Sequence, residues 1–215
     1  MGTTVWRSLF AAIASLVLAI TTFASLTHQA SATPAKAPAS HSAAAAHRKP
    51  TSTPTNPAST SPGSTTGSYY VTLYGWPDNS PPGGAIAYPK GDGNPTLHDT
   101  AGGTGTYADP VTYATDKAEL PIGTRVYYAF LKKYFIMEDD CAECDQDWTG
   151  HGPDGGPNFH HIDLWVGGQG GNDNKVLDCE DALTQQGTLI VDPPSDESVD
   201  TTPLFNSSTN TCYSP

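Results

Sequence analysis

Apolar residues in this chain fall into short runs that alternate with polar ones and are cut off by Gly, Pro and Asp. That period-two pattern predicts strands, because successive strand side chains point to opposite faces. Strands are expected at Tyr69–Tyr74, Ala85–Tyr88, Val111–Thr115, Arg125–Leu131, Tyr134–Glu138, His161–Val166 and Gly187–Val191. Leu120-Pro121-Ile122-Gly123-Thr124 reads as the turn that delivers the chain into the Arg125 strand. Helical spacing is scarce; one short helix is expected from Cys179 to Gln185, with Asp178 as its N-cap. Two Gly-rich stretches, Gly91–Gly105 and Gly150–Pro157, read as long loops. Many short strands with little helix imply a mostly β domain, a small barrel or a sandwich.

Upstream of this domain the pattern changes twice. Arg7 precedes an apolar run from Leu9 to Leu26, and Ala30-Ser31-Ala32 supplies the small residues of a signal-peptidase site. Residues 1–32 are therefore expected to be a signal peptide, with the mature chain starting at Thr33. An uncleaved anchor is the alternative, but Ser15, Thr21, Thr22 and Ser25 interrupt the run. Residues 33–67 are almost entirely Ala, Pro, Ser and Thr, too poor in apolar bulk to offset the entropy of ordering, and read as a disordered stalk. Residues 68–215 are long enough for one domain with its own core.

All 22 Asp and Glu of the chain lie in that domain, against Lys90, Lys117, Arg125, Lys132, Lys133 and Lys175. Such a surface repels nucleic acid and anionic lipid, and favours a neutral or cationic partner. Solubility of an exported monomer accounts for the acidity equally well. Four cysteines, Cys141, Cys144, Cys179 and Cys212, are an even number in an exported chain and point to two disulfides. Three pairings are open; Cys141–Cys144 with Cys179–Cys212 is preferred. His151, His160, His161 and the Cys-x-x-Cys have zinc-ligand chemistry. The oxidising compartment favours the disulfide, so neither metal nor cofactor is expected.

The chemistry-bearing residues sit in two stretches. Tyr134-Phe135-Ile136-Met137 ends in Glu138-Asp139-Asp140, followed by Cys141-Ala142-Glu143-Cys144. His160-His161-Ile162-Asp163-Leu164-Trp165-Val166 carries an Asp inside a strand, with His161, Asp163 and Trp165 on one face. Clustered carboxylates disfavour full ionisation, and glycoside cleavage needs one protonated carboxyl beside a second ionised one. The plain alternative is that these aspartates only cap strands and hold turns.

Asp-Asp-Cys-Ala-Glu-Cys followed by His-Ile-Asp-Leu resembles the paired signature of double-psi β-barrel proteins such as expansins, barwin-like proteins, rare lipoprotein A and a papain inhibitor. Asp116 followed by Pro121-Ile122-Gly123-Thr124-Arg125-Val126 is similar to the opening of the three-Asp domain of lytic murein transglycosylases. The resemblance spans about Asp109 to Val166. It departs after Asp139, where Asp140-Cys141 replaces the usual Thr-Gly-Gly. It implies a six-stranded double-psi β-barrel and a catalytic set of Asp116, Asp139 and Asp163, with Asp139 as acid and base. Trp165, Tyr74, Trp76 and His161 are expected to bind substrate. The expected function is secreted action on a wall or environmental polysaccharide, as a lytic transglycosylase or glycosidase. The alternative is a non-catalytic polysaccharide-binding barrel or a protease inhibitor.

Overall fold

The structure is a computed structural model that describes residues 63–215. The signal-peptide reading and most of the stalk reading lie outside the described residues. Six strands close into a barrel: β1 (Thr65–Tyr74), β2 (Val111–Ala114), β3 (Arg125–Tyr128), β4 (Lys133–Asp139), β5 (His161–Trp165) and β6 (Gln185–Val191). Around the barrel they run β1-β5-β2-β4-β3-β6, with β6 closing onto β1. The pairs β1–β5 and β2–β4 are parallel; the other four are antiparallel. Closure gives each of these six strands a neighbour on both sides.

The core follows the alternation. Val71, Leu73, Tyr113, Val126, Phe135, Met137, Ile162, Leu164 and Leu189 are buried together. Each such side chain contributes about 1.5–3 kcal/mol by leaving water. β4 is buried along its whole length, so polar residues on it must find partners. Tyr134 donates to the Pro194 carbonyl at 2.6 Å, and the Lys133 ammonium donates to the Asp200 carbonyl. Glu138, fully buried, accepts from the Leu97 and His98 amides, the His98 ring and the Thr112 hydroxyl. That cluster pins the first Gly-rich loop to the barrel wall.

Two helices cover the barrel. α1 (Ala142–Thr149) starts where the Cys141 sulfur accepts from the Cys144 amide and stops at Gly150, whose φ of 81° suits a residue without Cβ. The sequence reading had no helix here, although Glu143 and Asp145 in the first turn and Gly150 at the end are helix signals. α2 (Asp173–Leu183) starts at Asn172, which accepts from the Lys175 amide, six residues before the expected N-cap Asp178. It packs Val176, Cys179 and Leu183 inward against β1. A hairpin of β7 (Phe205–Asn206) and β8 (Thr211–Cys212) lies outside the barrel. Cys141 bonds Cys144 and Cys179 bonds Cys212, the preferred pairing; the second ties the hairpin to α2.

Two further expectations change. Ala85–Tyr88 is not a strand: it is irregular chain held by single hydrogen bonds, the Tyr88 amide to the Glu138 carbonyl and the Ala87 amide to Asp139. β1 begins at Thr65 rather than Tyr69, because Thr65–Val71 pair with Val191–Gln185. These added residues are largely exposed, so no apolar alternation announces them.

Candidate functional site

The strand order brings the two informative stretches together. Ala114 of β2 is the register partner of Asp163 on β5 and, past a bulge, of Asp139 on β4. The small Ala114 side chain thus separates two carboxylates that the sequence holds 24 residues apart. Both line a cavity of about 710 Å³, together with Thr72, Tyr74, Asp78 and Glu143. Among the described residues lining it there is no Lys, Arg or His. Cys141 and the first residues of α1, Ala142 and Glu143, form one wall.

The two carboxylates have unlike surroundings. Asp163 accepts one side-chain hydrogen bond, from the Thr72 hydroxyl at 2.8 Å. Burial raises its pKa to about 7, and the Asp78, Glu143 and Asp139 charges push the same way. Asp139 accepts three: from the Tyr74 hydroxyl at 2.9 Å, the Ala87 amide at 2.8 Å and the Asp140 amide at 2.9 Å. Burial raises its pKa too, but these donors oppose the rise by favouring the ionised form. Both carboxyls are shifted toward the protonated form, Asp163 to near neutrality, while three donors hold the Asp139 rise in check.

A further buried acid neighbours Asp78 of the cavity lining. Glu180 of α2 is 5 % exposed and its Oε1 has no hydrogen-bond partner. Burial and the neighbouring Asp78 carboxylate raise its pKa to about 8. Gly75 makes this approach possible, since a Cβ there would meet Glu180 Oε1 at 2.7 Å and both Val166 and Val176 at 2.8 Å.

His161 does not reach the cavity. It is 1 % exposed, with Nδ1 2.8 Å from Asp147 Oδ2 and Nε2 2.9 Å from Thr72 Oγ1. Asp147, Asp154 and His161 place ligand-type atoms within 4.8 Å of one another. The two imidazole nitrogens make hydrogen bonds to Asp147 and Thr72, which join the group into one network.

The remaining expected residues distribute around this centre. Tyr74 lines the cavity but its ring packs edge-on against Trp165, 5.2 Å between centroids, and its hydroxyl serves Asp139. Trp165 and Trp76 line a second cavity of about 530 Å³ that shares Ala85 with the first. Asp116 lies in neither: it borders a groove with Tyr88, Asp140 and Asp145, and its side chain accepts from the Ala118 amide in the turn after β2. Thr72, Asp78, Asp147 and Glu180 were not singled out from sequence. Only Thr72 carried a signal, as a polar residue on the face opposite Val71 and Leu73.

No helix among the described residues is long and apolar enough to cross a membrane, and the two disulfides are compatible with an extracellular protein. The family profile described as "DDB_G0273701 N-terminal domain" matches residues 66–213. The "Uncharacterized protein DDB_G0273701/DDB_G0273221" of Dictyostelium discoideum is 45% identical over 143 residues. That alignment covers 66% of this chain and 58% of that relative, so the chain spans a little over half of its length. No solved structure matches.

Proposed function

We propose for this barrel, a chain that belongs to the DDB_G0273701 N-terminal domain family, an acid-catalysed action on polysaccharide outside the cell. The observation that carries the reading is the unlike pair flanking Ala114, Asp163 with its pKa near 7 and Asp139 under three donors. Cleaving a glycosidic bond requires that division of labour: one carboxyl protonates the leaving oxygen, and a second stays ionised as base or as a stabiliser of the developing positive charge. Asp163 is the acid and Asp139 the ionised partner, whereas the three-Asp resemblance gave Asp139 both the acid and the base role. Asp116, spent on its own turn and outside the cavity, takes no part.

Two further features support the reading. The closed six-stranded barrel with parallel pairs β1–β5 and β2–β4 agrees with the double-psi topology that the motifs imply. The carboxylate-lined cavity opens beside an aromatic one, which suits a neutral or amine-bearing glycan with a sugar face on Trp76.

The test is mass spectrometry of soluble products after incubating the mature chain with peptidoglycan, chitin, chitosan and cellulose. Short oligosaccharides or anhydro-sugars that fall at least about 100-fold in Asp163→Asn support the acid role, the usual size of a general-acid contribution. Equal yields from wild type and variant refute it. The aromatic cavity also suits a non-catalytic, expansin-like binder; retention on insoluble glycan without products favours that reading. Absence of both leads to assays of protease inhibition.

A further inference from the structure

Asp163 is the visible end of a chain of hydrogen bonds that runs through the barrel wall. Its Oδ1 lies 2.8 Å from Thr72 Oγ1, which lies 2.9 Å from His161 Nε2; His161 Nδ1 lies 2.8 Å from Asp147 Oδ2. Parallel pairing of β1 with β5 aligns it, because Thr72 and Asp163 are register partners and His161 shares the Asp163 face. α1 supplies Asp147, and both Asp147 and His161 are sealed from solvent. Gly152 leaves room for the Asp147 carboxylate, since a Cβ there would fall 1.8 Å from its Oδ1.

We propose that Asp147, His161 and Thr72 form a proton-holding relay that sets the protonation and orientation of Asp163. This proposal rests on the acid role given above to Asp163. Two arrangements with the same number of protons fit these contacts. In one, His161 carries protons on both nitrogens, donating to Asp147 and Thr72, and Thr72 donates to the Asp163 carboxylate. In the other, the Asp163 carboxyl donates to Thr72, the Thr72 hydroxyl donates to Nε2, and the neutral ring keeps its Nδ1 proton on Asp147. The two interconvert by a concerted shift: Nε2–H passes to Thr72 Oγ1 as the Thr72 proton passes to Asp163, so the relay delivers one proton to Asp163. Once that proton goes to a leaving oxygen, the ring is neutral until a solvent proton replaces it. His161 and Thr72 are positioning residues that act through Asp163.

The charged groups facing the relay are identifiable. Asp163 faces Asp139 from β4, Asp78 from the turn after β1, Glu143 from α1 and, more distantly, Glu180 from α2. His161 faces Asp147 from α1, Asp154 from the loop that follows, and the Tyr70 ring at 4.9 Å.

The test is nitrogen-15 NMR of the His161 ring from pH 4 to 9, with carbon-13 detection of the Asp163 carboxyl, in wild type, Thr72→Ser and Thr72→Val. The relay predicts that the Asp163 titration appears as a matching step in His161 Nε2. The step should persist in Thr72→Ser and vanish in Thr72→Val, while the carboxyl still titrates. His161 shifts that ignore the Asp163 step, or are identical in Thr72→Val, overturn the proposal. Circular dichroism and the Thr72→Ser control separate this from misfolding. The readout needs no substrate: a coupled His161 in a protein that cleaves no glycan upholds the relay and sinks the glycosidic reading. Cleavage with an uncoupled ring does the reverse.

Discussion

Replacing Asp163 by Asn should change how stability depends on pH, with a direction that follows from burial. The Asp163 carboxyl has its pKa raised from 3.8 to about 7, mainly by desolvation and then by the Asp78, Glu143 and Asp139 charges. A raised carboxyl binds its proton more tightly folded than unfolded. The stability it contributes is complete below the unfolded value near 4 and is lost as pH climbs through the folded value near 7. A shift of roughly 3 units at about 1.4 kcal/mol per unit gives on the order of 4 kcal/mol across that window. Asn has the same shape and keeps a carbonyl for the Thr72 hydroxyl but cannot ionise. The two proteins should therefore be similarly stable at pH 4, and the variant more stable by up to about 4 kcal/mol at pH 8. Urea unfolding monitored by tryptophan fluorescence at pH 4, 6 and 8 reads this directly, and such a difference is large beside typical domain stabilities. Parallel stability curves at all three pH values would refute the desolvated, proton-holding Asp163, and with it the physical basis for its acid role.

The other predictions concern the Glu138–His98 cluster, the disulfide and the aromatic cavity. His98 lies between Glu138 Oε2 at 2.6 Å and Asp109 Oδ1 at 3.1 Å, and its pKa is raised chiefly by the Glu138 hydrogen bond. Its contribution is full below about pH 6.5 and is lost as pH rises through the folded value. Glu138→Gln should cost about 2–3 kcal/mol at pH 5.5 and less at pH 9, with faster amide exchange at Leu97 and His98. A pH-independent cost would show that the imidazolium is not the partner. The Cys179–Cys212 bridge spans 33 residues, so the double Cys→Ser variant should lose about 4 kcal/mol in chemical denaturation. An unchanged midpoint would mean that the hairpin holds to α2 without it. Trp76→Ala should weaken retention on insoluble glycan by about tenfold with the thermal midpoint little changed, because Trp76 is only partly buried. Full retention would remove the aromatic cavity from the binding surface.

How far the sequence reaches can be seen residue by residue. Alternation located the central part of every barrel strand, since each buries one face in a common core. It failed at Thr65–Ser68, where exposed strand residues carry no apolar signal. It also failed at Ala85–Tyr88, whose apolar residues serve a cavity wall rather than a ladder. Helix α1 was missed because its inward residues are Cys144 and Asp147, not an apolar stripe.

The chain itself determined composition, an acidic β-rich domain, the cysteine pairing preference and the oddity of an aspartate in mid-strand. Those are local properties, written in residue type and period. Tertiary structure decided which residues meet. Thr72 and Asp163 become neighbours only through a parallel pairing across about 90 residues of chain, and Asp139 joins them only because β2 lies between β4 and β5. Closure also decided the electrostatics: Asp163 is strongly shifted because the barrel, its helices and three other carboxylates surround it. Local patterning sets which face each strand buries, but the desolvation and charge that separate two aspartates into different roles exist only once the barrel has closed.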